Sequence, residues 1–299
     1  MKFIYQYPET YGADDDMLDP GPISSLAIAA EESGWHGFAF TEHPVPSSKW
    51  LASGGHQSLD PFVALGHVAA VTRHLRLLTY LAVLPYRNPF LLAKSAATLD
   101  RLSGGRFILG IGAGYLKSEF RALGVDFDER NALFDEALEV LPLYWEGEPF
   151  SYEGRHFSAR EVISRPKLTG GGIPIWIGGN SQLTRKRVAA QAQGWMPLMA
   201  FSDISATTRS PHLGSLDDLA AMIAEVRAGA KERGAEIEVV VSYTDLSIVR
   251  PDDDAERHRD KIAEFESIGA TWMVVPAPTT VQPETQQFIE AFARNYISP

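Results

Sequence analysis

The sequence predicts a single (β/α)8 barrel with loop insertions at the carboxyl ends of its strands. Short apolar runs alternate with amphipathic helical patterns eight times along the 299 residues, and no linker or low-complexity tract interrupts the alternation. One domain usually has roughly 100 to 200 residues, so length alone also allows two ordinary domains. The unbroken alternation favours one barrel domain over residues 1–299, and a doubly wound sheet is the alternative fold.

The first half of the chain contains four predicted strand–helix units. Pro22 and Pro61 suit the first turns of helices, Asp60 and Asn88 are capping residues, and Gly104 is a stop signal. The predicted elements are strand Phe3–Tyr7, a helix from Pro22, strand Gly37–Thr41, a helix from Pro61, strand Leu75–Leu84, a helix from Pro89, strand Phe107–Ile111 and helix Asn131–Trp145.

The second half resumes the alternation after an irregular segment. Residues 146–172 are polar and rich in turn residues, so we predict an excursion on one face of the barrel. Pro142 should kink or end the preceding helix, because proline removes a backbone donor and clashes with the preceding turn. The remaining predicted elements are strand Ile173–Ile177, helix Ser181–Gln193, a short strand at Trp195, a helix opened by the capping pattern Ser215 to Asp218, strand Ile237–Tyr243, helix Ala255–Ser267, strand Thr271–Val275 and helix Pro283–Tyr296.

The composition is that of an ordinary globular protein, with 45% hydrophobic and 22% charged residues. The 27 Lys and Arg against 38 Asp and Glu give a formal net charge of −11, which would repel phosphate backbones and anionic membranes. We therefore expect neither a nucleic acid nor a membrane as partner. The sequence has no cysteine, which excludes disulfides, thiolate metal sites and thiol catalysis, and the start of the chain does not resemble a secretory leader. These features predict a cytoplasmic protein.

The residues that follow each barrel strand are the candidates for chemistry. His43 follows the second predicted strand and is the best candidate for moving a proton, because an imidazole titrates near neutral pH. Glu42 is a second catalytic candidate; since adjacent strand residues face opposite sides, it could instead hold a neighbouring loop. The other histidines lack the paired spacing of zinc motifs, so no metal site is expected.

Glycines follow the fourth predicted strand. Gly110, Gly112 and Gly114 suggest a dinucleotide fingerprint, but Tyr115 occupies the position where that fingerprint needs its third glycine. Two interpretations stay open: the glycines let a flat ring or a sugar-phosphate chain approach the backbone closely, or they only form a tight turn.

A second pair of glycines follows the fifth predicted strand. Gly178 and Gly179 precede Asn180 and the capping residue Ser181. A helix that begins there presents free backbone N–H groups and the positive end of its dipole, which suits a phosphate. The alternative is an ordinary loop with a serine cap.

Several of these segments together resemble the bacterial-luciferase-like monooxygenase family. The segments are Thr41–His43, Leu84–Pro89, Arg101–Tyr115 and Pro174–Gly179, and the match spans nearly the whole chain. The block Arg101–Tyr115 is the most specific of them. The resemblance implies a (β/α)8 barrel that binds the deazaflavin coenzyme F420 or, alternatively, FMN, and the blocks look more like the deazaflavin branch.

The resemblance also assigns residues to the cofactor. It places His43 at the reactive carbon, and it implies the following contacts: Tyr80, Leu81 and Ala82 behind the ring, Gly112, Gly114 and Ser118 beside the ribityl chain, and Gly178, Gly179 and Asn180 beside the phosphate. It further implies a cis peptide bond between Tyr80 and Leu81. Tyr115 stands where the sugar-phosphate dehydrogenase branch has an acidic residue, so no sugar phosphate substrate is predicted.

The function implied is hydride transfer between coenzyme F420 and a small organic substrate, with His43 moving the accompanying proton. The alternatives are an FMN-dependent monooxygenase that uses dioxygen and a non-catalytic cofactor-binding barrel. A glycosidase would need paired carboxylates, for which only Glu42 and Asp245 can be nominated. The expected partners are the small-molecule substrate, a second copy of the chain in a homodimer, and a separate reductase that supplies reduced cofactor.

Overall fold

Eight parallel strands close into a barrel in the computed structural model, which describes residues 1–11, 16–168, 172–199, 210–277 and 283–297. The strands pair in chain order, and the last pairs with the first, so the predicted (β/α)8 barrel is confirmed. They are β1 (Lys2–Gln6), β2 (Gly37–Phe40), β3 (Arg76–Thr79), β4 (Phe107–Gly112), β5 (Ile175–Gly178), β6 (Gly194–Met196), β7 (Glu238–Ser242) and β8 (Trp272–Pro276).

A long helix follows each strand within the described residues. The predicted caps are present: the side chains of Asp60, Asn88 and Ser215 accept hydrogen bonds from first-turn amides, and Gly104 ends its helix with φ 70°. The helices are α1 (Ile23–Glu32), α2 (Pro61–Val71), α3 (Pro89–Ser103), α4 (Arg130–Glu146), α5 (Gln182–Gln191), α6 (Leu216–Lys231), α7 (Ala255–Ser267) and α8 (Glu284–Phe292). None of the helices in the described part of the chain is long and apolar enough to cross a membrane.

The expectation that Pro142 kinks the fourth helix or ends it early is wrong as to the early end, whereas the predicted span Asn131–Trp145 agrees with the structure. Helix α4 continues past Pro142 to Glu146. The last turn is held by tertiary packing: Trp145 is buried, and its indole N–H donates to the carbonyl of Ala93 in α3 at 3.1 Å. These contacts outweigh the loss of one backbone hydrogen bond at the proline.

The predicted strand Leu75–Leu84 is interrupted at Tyr80 and Leu81, within the segment Thr79–Ala82 where the sequence allows a bulge. Strand β3 ends at Thr79, a cis peptide bond joins Tyr80 to Leu81, and the next two residues pair with β4 again. The Thr79 hydroxyl accepts from the Gly110 N–H at 2.9 Å and donates to the Gly110 carbonyl at 2.7 Å. The Thr79 side chain thus provides hydrogen-bond partners for the β4 backbone at the point where the hydrogen bonds between β3 and β4 are interrupted. The cis bond that the family resemblance implied is confirmed.

The glycines of β4 accommodate this interrupted strand. A Cβ atom at Gly110 would lie 2.0 Å from the carbonyl oxygen of Thr79, and one at Gly112 would lie 2.5 Å from Cδ1 of Leu81. Any larger residue therefore collides with the neighbouring segment. The close approach that these glycines permit is, first of all, that of the protein's own backbone and of Leu81.

Short elements between the strands and helices were not predicted. They are the antiparallel ladder of Thr10–Tyr11 with His56–Gln57, the helices Ser48–Leu51 and Lys117–Ala122, and a hairpin of Phe150–Glu153 with Ser158–Val162 inside the predicted excursion. The ladder ties the loop after β1 to the loop after β2. It therefore decides which side chains meet above the barrel.

We expect Gly110→Ala and Gly112→Ala to destabilise the protein to different degrees. The added methyl group meets backbone in the first variant, which should cost roughly 3 kcal/mol, and a movable side chain in the second, which should cost roughly 1 kcal/mol. Adding Leu81→Ala should relieve the clash in Gly112→Ala but not the clash in Gly110→Ala. Urea unfolding of the single and double variants measures the coupling free energy between Leu81 and each glycine. Equal losses, or no relief by Leu81→Ala, would contradict this packing.

Candidate active site

His43 lies at the carboxyl end of the barrel with one nitrogen held and the other free. Its Nδ1 is 3.4 Å from Oε2 of Glu119, and its backbone N–H donates to the Ser58 hydroxyl at 2.7 Å. The ring packs against Trp50 at 4.4 Å and lies 6.1 Å from the Tyr115 ring. Nε2 makes no hydrogen bond to any residue that the structure describes. It is therefore the atom available to a substrate.

Glu119 is the carboxylate behind His43, and it was not among the predicted site residues. It is fully buried in the short helix after β4, where it accepts from the Tyr86 hydroxyl at 2.8 Å and from the Val45 N–H at 3.3 Å. A carboxylate that accepts from Nδ1–H leaves Nε2 as a proton acceptor. The sequence feature that could have identified Glu119 is its position in the segment after a barrel strand, only five residues beyond Gly114.

A second histidine and carboxylate stand beside the first pair. His56 lies edge-to-face with His43, with the ring centroids 4.8 Å apart, and its Nε2 is 3.4 Å from Oε2 of Glu9. Burial, followed by the nearby His43, lowers the pKa of His56 to about 4. Burial also raises the pKa of Glu9, although hydrogen bonds, the largest from Thr41, oppose the rise. At neutral pH, His56 therefore presents an uncharged polar ring next to His43.

Glu42 does not share this arrangement. It is buried, and its oxygens accept from the Val83 N–H at 2.6 Å and from Arg87 at 2.5 Å, while Arg87 also binds Asp60 at 2.8 Å. The residue thus holds the interrupted β3 segment, the loop-holding role that the alternation of strand residues allowed. Asp245, its proposed glycosidase partner, is itself held by ion pairs, so neither carboxylate is free for hydrolysis.

The residues assigned to the cofactor ring lie together at the mouth. Leu81 covers both Gly112 and Gly178, since a Cβ atom at Gly178 would lie 2.4 Å from Leu81 Cδ2. The surface on which a cofactor ring would lie is therefore the Leu81 side chain and not bare glycine backbone. Burial raises the pKa of Tyr80 to about 12, which keeps its hydroxyl protonated. Of the remaining assigned residues, Ala82 is buried, Gly114 packs against Val83 and Ser118 is exposed.

The start of α5 fits a phosphate through its backbone. Ser181 caps the helix by accepting from the Thr184 N–H at 3.0 Å, and the amides of Gln182 and Leu183 have no partner within the helix. The Asn180 side chain is not available, because it is buried and bonds the backbone of Leu198 and Pro211. Gly179, with φ 117°, turns the chain into this position.

Metal ligation has no support in the described segments, where no three His, Cys, Asp or Glu side chains converge on one point. The candidate site therefore consists of two imidazoles, the buried carboxylate of Glu119, the partly buried carboxylate of Glu9, aromatic side chains and the amides of a helix start. Such groups can transfer a proton at a neutral substrate and can hold a planar, phosphate-bearing cofactor.

Comparison with known proteins gives one family over nearly the whole chain. The family model described as luciferase-like monooxygenase matches residues 1–296. An uncharacterized protein of Mycobacterium tuberculosis strain H37Rv is 27% identical over 283 residues, which cover 90% of this chain and 92% of that protein. An F420-dependent glucose-6-phosphate dehydrogenase of Microbacterium testaceum is 27% identical over 192 residues, which cover 62% of this chain and 55% of that enzyme.

Among solved structures, an F420-dependent secondary alcohol dehydrogenase in complex with an F420–acetone adduct has the same fold. Its TM-score is 0.74 at 19% sequence identity, and the match covers 99% of this chain and 98% of that one. At this level of identity the likeness concerns the fold.

The depressed pKa of His56 predicts a loss of stability in mild acid. Between its unfolded pKa of 6.5 and about 4, the unfolded chain binds more protons at this residue than the folded one, so stability falls as the pH falls through this window. From pH 7 to pH 5 the loss should be roughly 2 kcal/mol larger in the wild type than in His56→Gln. Urea unfolding at both pH values measures it, and equal losses in the two proteins would contradict the buried neutral state.

Proposed function

This chain belongs to the luciferase-like monooxygenase family, and from that premise we propose a cytoplasmic oxidoreductase that transfers a hydride between coenzyme F420 and a small organic substrate. One observation carries the proposal: Nε2 of His43 has no partner in the described part of the chain, while a fully buried carboxylate, Glu119, holds Nδ1. An imidazole supported in this way is suited to take and return a proton.

The proposed reaction interconverts an alcohol and a carbonyl. A hydride that leaves the alcohol carbon requires the loss of the hydroxyl proton, and Nε2 of His43 takes that proton. When bound, the deazaflavin supplies the two-electron acceptor or donor for the hydride. Glu119 stabilises the imidazolium that forms, and Tyr86 and the Val45 N–H hold Glu119 in place.

The groups around His43 favour a small uncharged substrate. Trp50, Tyr115 and the neutral ring of His56 line its surroundings, and the nearby ionisable groups are the carboxyls of Glu9 and Glu119. These carboxylates would repel a phosphate placed beside His43. We therefore propose a neutral alcohol or carbonyl compound in place of the glucose 6-phosphate named for the relative from Microbacterium testaceum.

The cofactor assignment rests on two features of the chain. Leu81 offers an apolar surface at the mouth, and the free amides at the start of α5 offer a phosphate site that needs no lysine or arginine. FMN carries a flat ring and a phosphate as well, so an FMN-dependent monooxygenase is the second candidate, and the name of the family model favours it. For either reduced cofactor, a separate reductase is a proposed partner.

We also propose that two copies of the chain associate through α2. This helix contains no charged residue, and Val63 on its outer face is 75% exposed. Two chains of net charge −11 repel each other, so self-association requires an uncharged, self-complementary face. The exposed residues of α2 are Val63, His67 and Ala70, with no Asp, Glu, Lys or Arg among them, and such a surface meets that requirement.

Titration of the purified protein with F420 and with FMN tests the cofactor assignment. We expect F420 to bind with the larger affinity and to change its absorbance and fluorescence, and we expect hydride transfer with a panel of small secondary alcohols or ketones. Tight binding of FMN alone would replace the proposal with the monooxygenase. Saturation by F420 without turnover on any substrate would favour a cofactor-binding barrel.

His43→Ala should lower turnover roughly 100- to 10,000-fold, the usual contribution of a positioned acid–base group. The dissociation constant for F420 should change far less, because the substitution removes a proton-transfer group and leaves the cofactor contacts of α5 intact. His74→Ala, an exposed histidine at the other end of the barrel, is the matched control and should keep wild-type turnover. Wild-type turnover in both variants would refute the role of His43.

Val63→Glu should dissociate the proposed dimer, because it places two carboxylates at the centre of an apolar contact. Light scattering coupled to gel filtration measures the mass. Leu102→Glu is the control, since Leu102 is 69% exposed on the neighbouring helix α3. A wild-type protein that is monomeric, or a Val63→Glu protein that remains dimeric, would contradict the proposal.

A further inference from the structure

The end of the barrel opposite His43 contains a cavity that the proposed function does not use. It has a volume of about 990 Å³ and is lined by residues at the starts of the strands. Small-molecule sites in proteins commonly occupy about 300 to 1,000 Å³. The cavity is thus large enough for a ligand of its own.

Charged side chains occupy the lowest inward positions of the barrel there. Two positions before a lumen-facing residue of their own strand stand Lys2, Arg76 and Glu238. Residues two apart in a strand point to the same face, so these three side chains also point inward. Barrel interiors are usually filled by branched aliphatic side chains. Arg76 is half-buried, whereas Lys2 and Glu238 keep 51% and 37% of their side-chain surface exposed.

The cations in this layer are compensated in part. Lys2 is 3.6 Å from Glu238 and 4.8 Å from the centroid of the Trp272 ring. The half-buried Arg76 faces Asp100, although its Nε has no hydrogen-bond partner among the described residues. Trp272 is 95% buried, and its indole N–H also lacks a partner in the described chain. Two donors of lining residues thus have no partner among the described residues. Both atoms are closed to solvent, and unsatisfied buried donors of this kind are rare in proteins.

The net charge of the lining is opposite to that of the protein. Its side chains comprise four cations, Lys2, Arg76, Arg227 and Lys231, but only two acidic groups, Glu236 and Glu238. The whole chain carries a net charge of −11. A concave positive region on an acidic protein concentrates anions.

Two buried tryptophans, which are 2% and 5% exposed, lie at the inner end of the cavity. The rings of Trp176 and Trp272 lie 5.4 Å apart with an interplanar angle of 61°. Gly194 makes room for Trp176, since a Cβ atom there would lie 2.3 Å from the indole. Indole surfaces bind planar rings favourably, and a guanidinium binds a carboxylate through paired hydrogen bonds.

We infer that this cavity, which we name the basal site, binds a small aromatic carboxylate, with the carboxylate at Arg76 and Lys2 and the ring against Trp176 and Trp272. Such a ligand pairs its charge with Arg76 and Lys2 and places its ring against the two indoles. An inorganic anion would use only the first feature, and a neutral aromatic compound only the second. The inference does not depend on the proposed redox function.

Calorimetric titration of the full-length protein at constant ionic strength tests the basal site. The probes are benzoate, acetate, which has the charge without the ring, and benzyl alcohol, which has the ring without the charge. We expect benzoate to bind with a dissociation constant of about 1 mM or less, and the other two to bind at least about tenfold more weakly. Equal affinities for the three probes, or no heat with benzoate, would overturn the proposal.

Variants locate the binding. Arg76→Met should weaken benzoate binding about tenfold or more, whereas Arg73→Met, an exposed arginine outside the cavity, should leave it unchanged. His43→Ala should also leave it unchanged, because the mouth lies at the other end. Loss of binding in His43→Ala, or full binding in Arg76→Met, would overturn the assignment.

The melting temperature of each variant separates ligand binding from folding. Arg76→Met should melt at a lower temperature than the wild type, because it removes the cation that faces the buried carboxylate of Asp100. Should that variant fail to fold, Lys2→Met replaces it: Lys2 is half exposed, and its loss should weaken benzoate binding without unfolding the protein. Unchanged affinity in a folded Lys2→Met protein would count against the site.

Discussion

The interlock between the interrupted third strand and the glycines of β4 is the constraint on which the mouth of the barrel depends. Thr79 exchanges two hydrogen bonds with Gly110, and Leu81 fills the space above Gly112 and Gly178. This packing fixes where β4 ends. It therefore also fixes the loop that carries Tyr115 and Glu119 to His43.

The fold could be predicted from the sequence because its signals are local. Apolar periodicity gave the eight strand–helix units, and capping residues such as Asp60 and Ser215 marked where helices begin. The break after Thr79 and the continuation of α4 through Pro142 depend on contacts with other elements, Gly110 and Ala93 among them. No pattern within either segment carries that information.

The candidate site was predictable only in part, for the same reason. His43 follows from its place after a barrel strand, but its partners come from 76 and 15 residues away, and their nearness is a property of the folded chain. Glu119 and the pair of His56 with Glu9 were missed because burial gives them their properties, and burial is invisible in a lone acidic residue or histidine. Glu42, beside His43 in sequence, has its role decided by Arg87.

The short ladder between Thr10–Tyr11 and His56–Gln57 has a consequence for how such a protein can acquire new specificities. It couples the loop after β1 to the loop after β2, which are separate in the sequence, so that a lengthened segment after β1 displaces Glu9 and His56 together. Recombination that swaps only one of the two segments from a relative would break the pairing. A variant with a new specificity, natural or engineered, must therefore exchange both segments together.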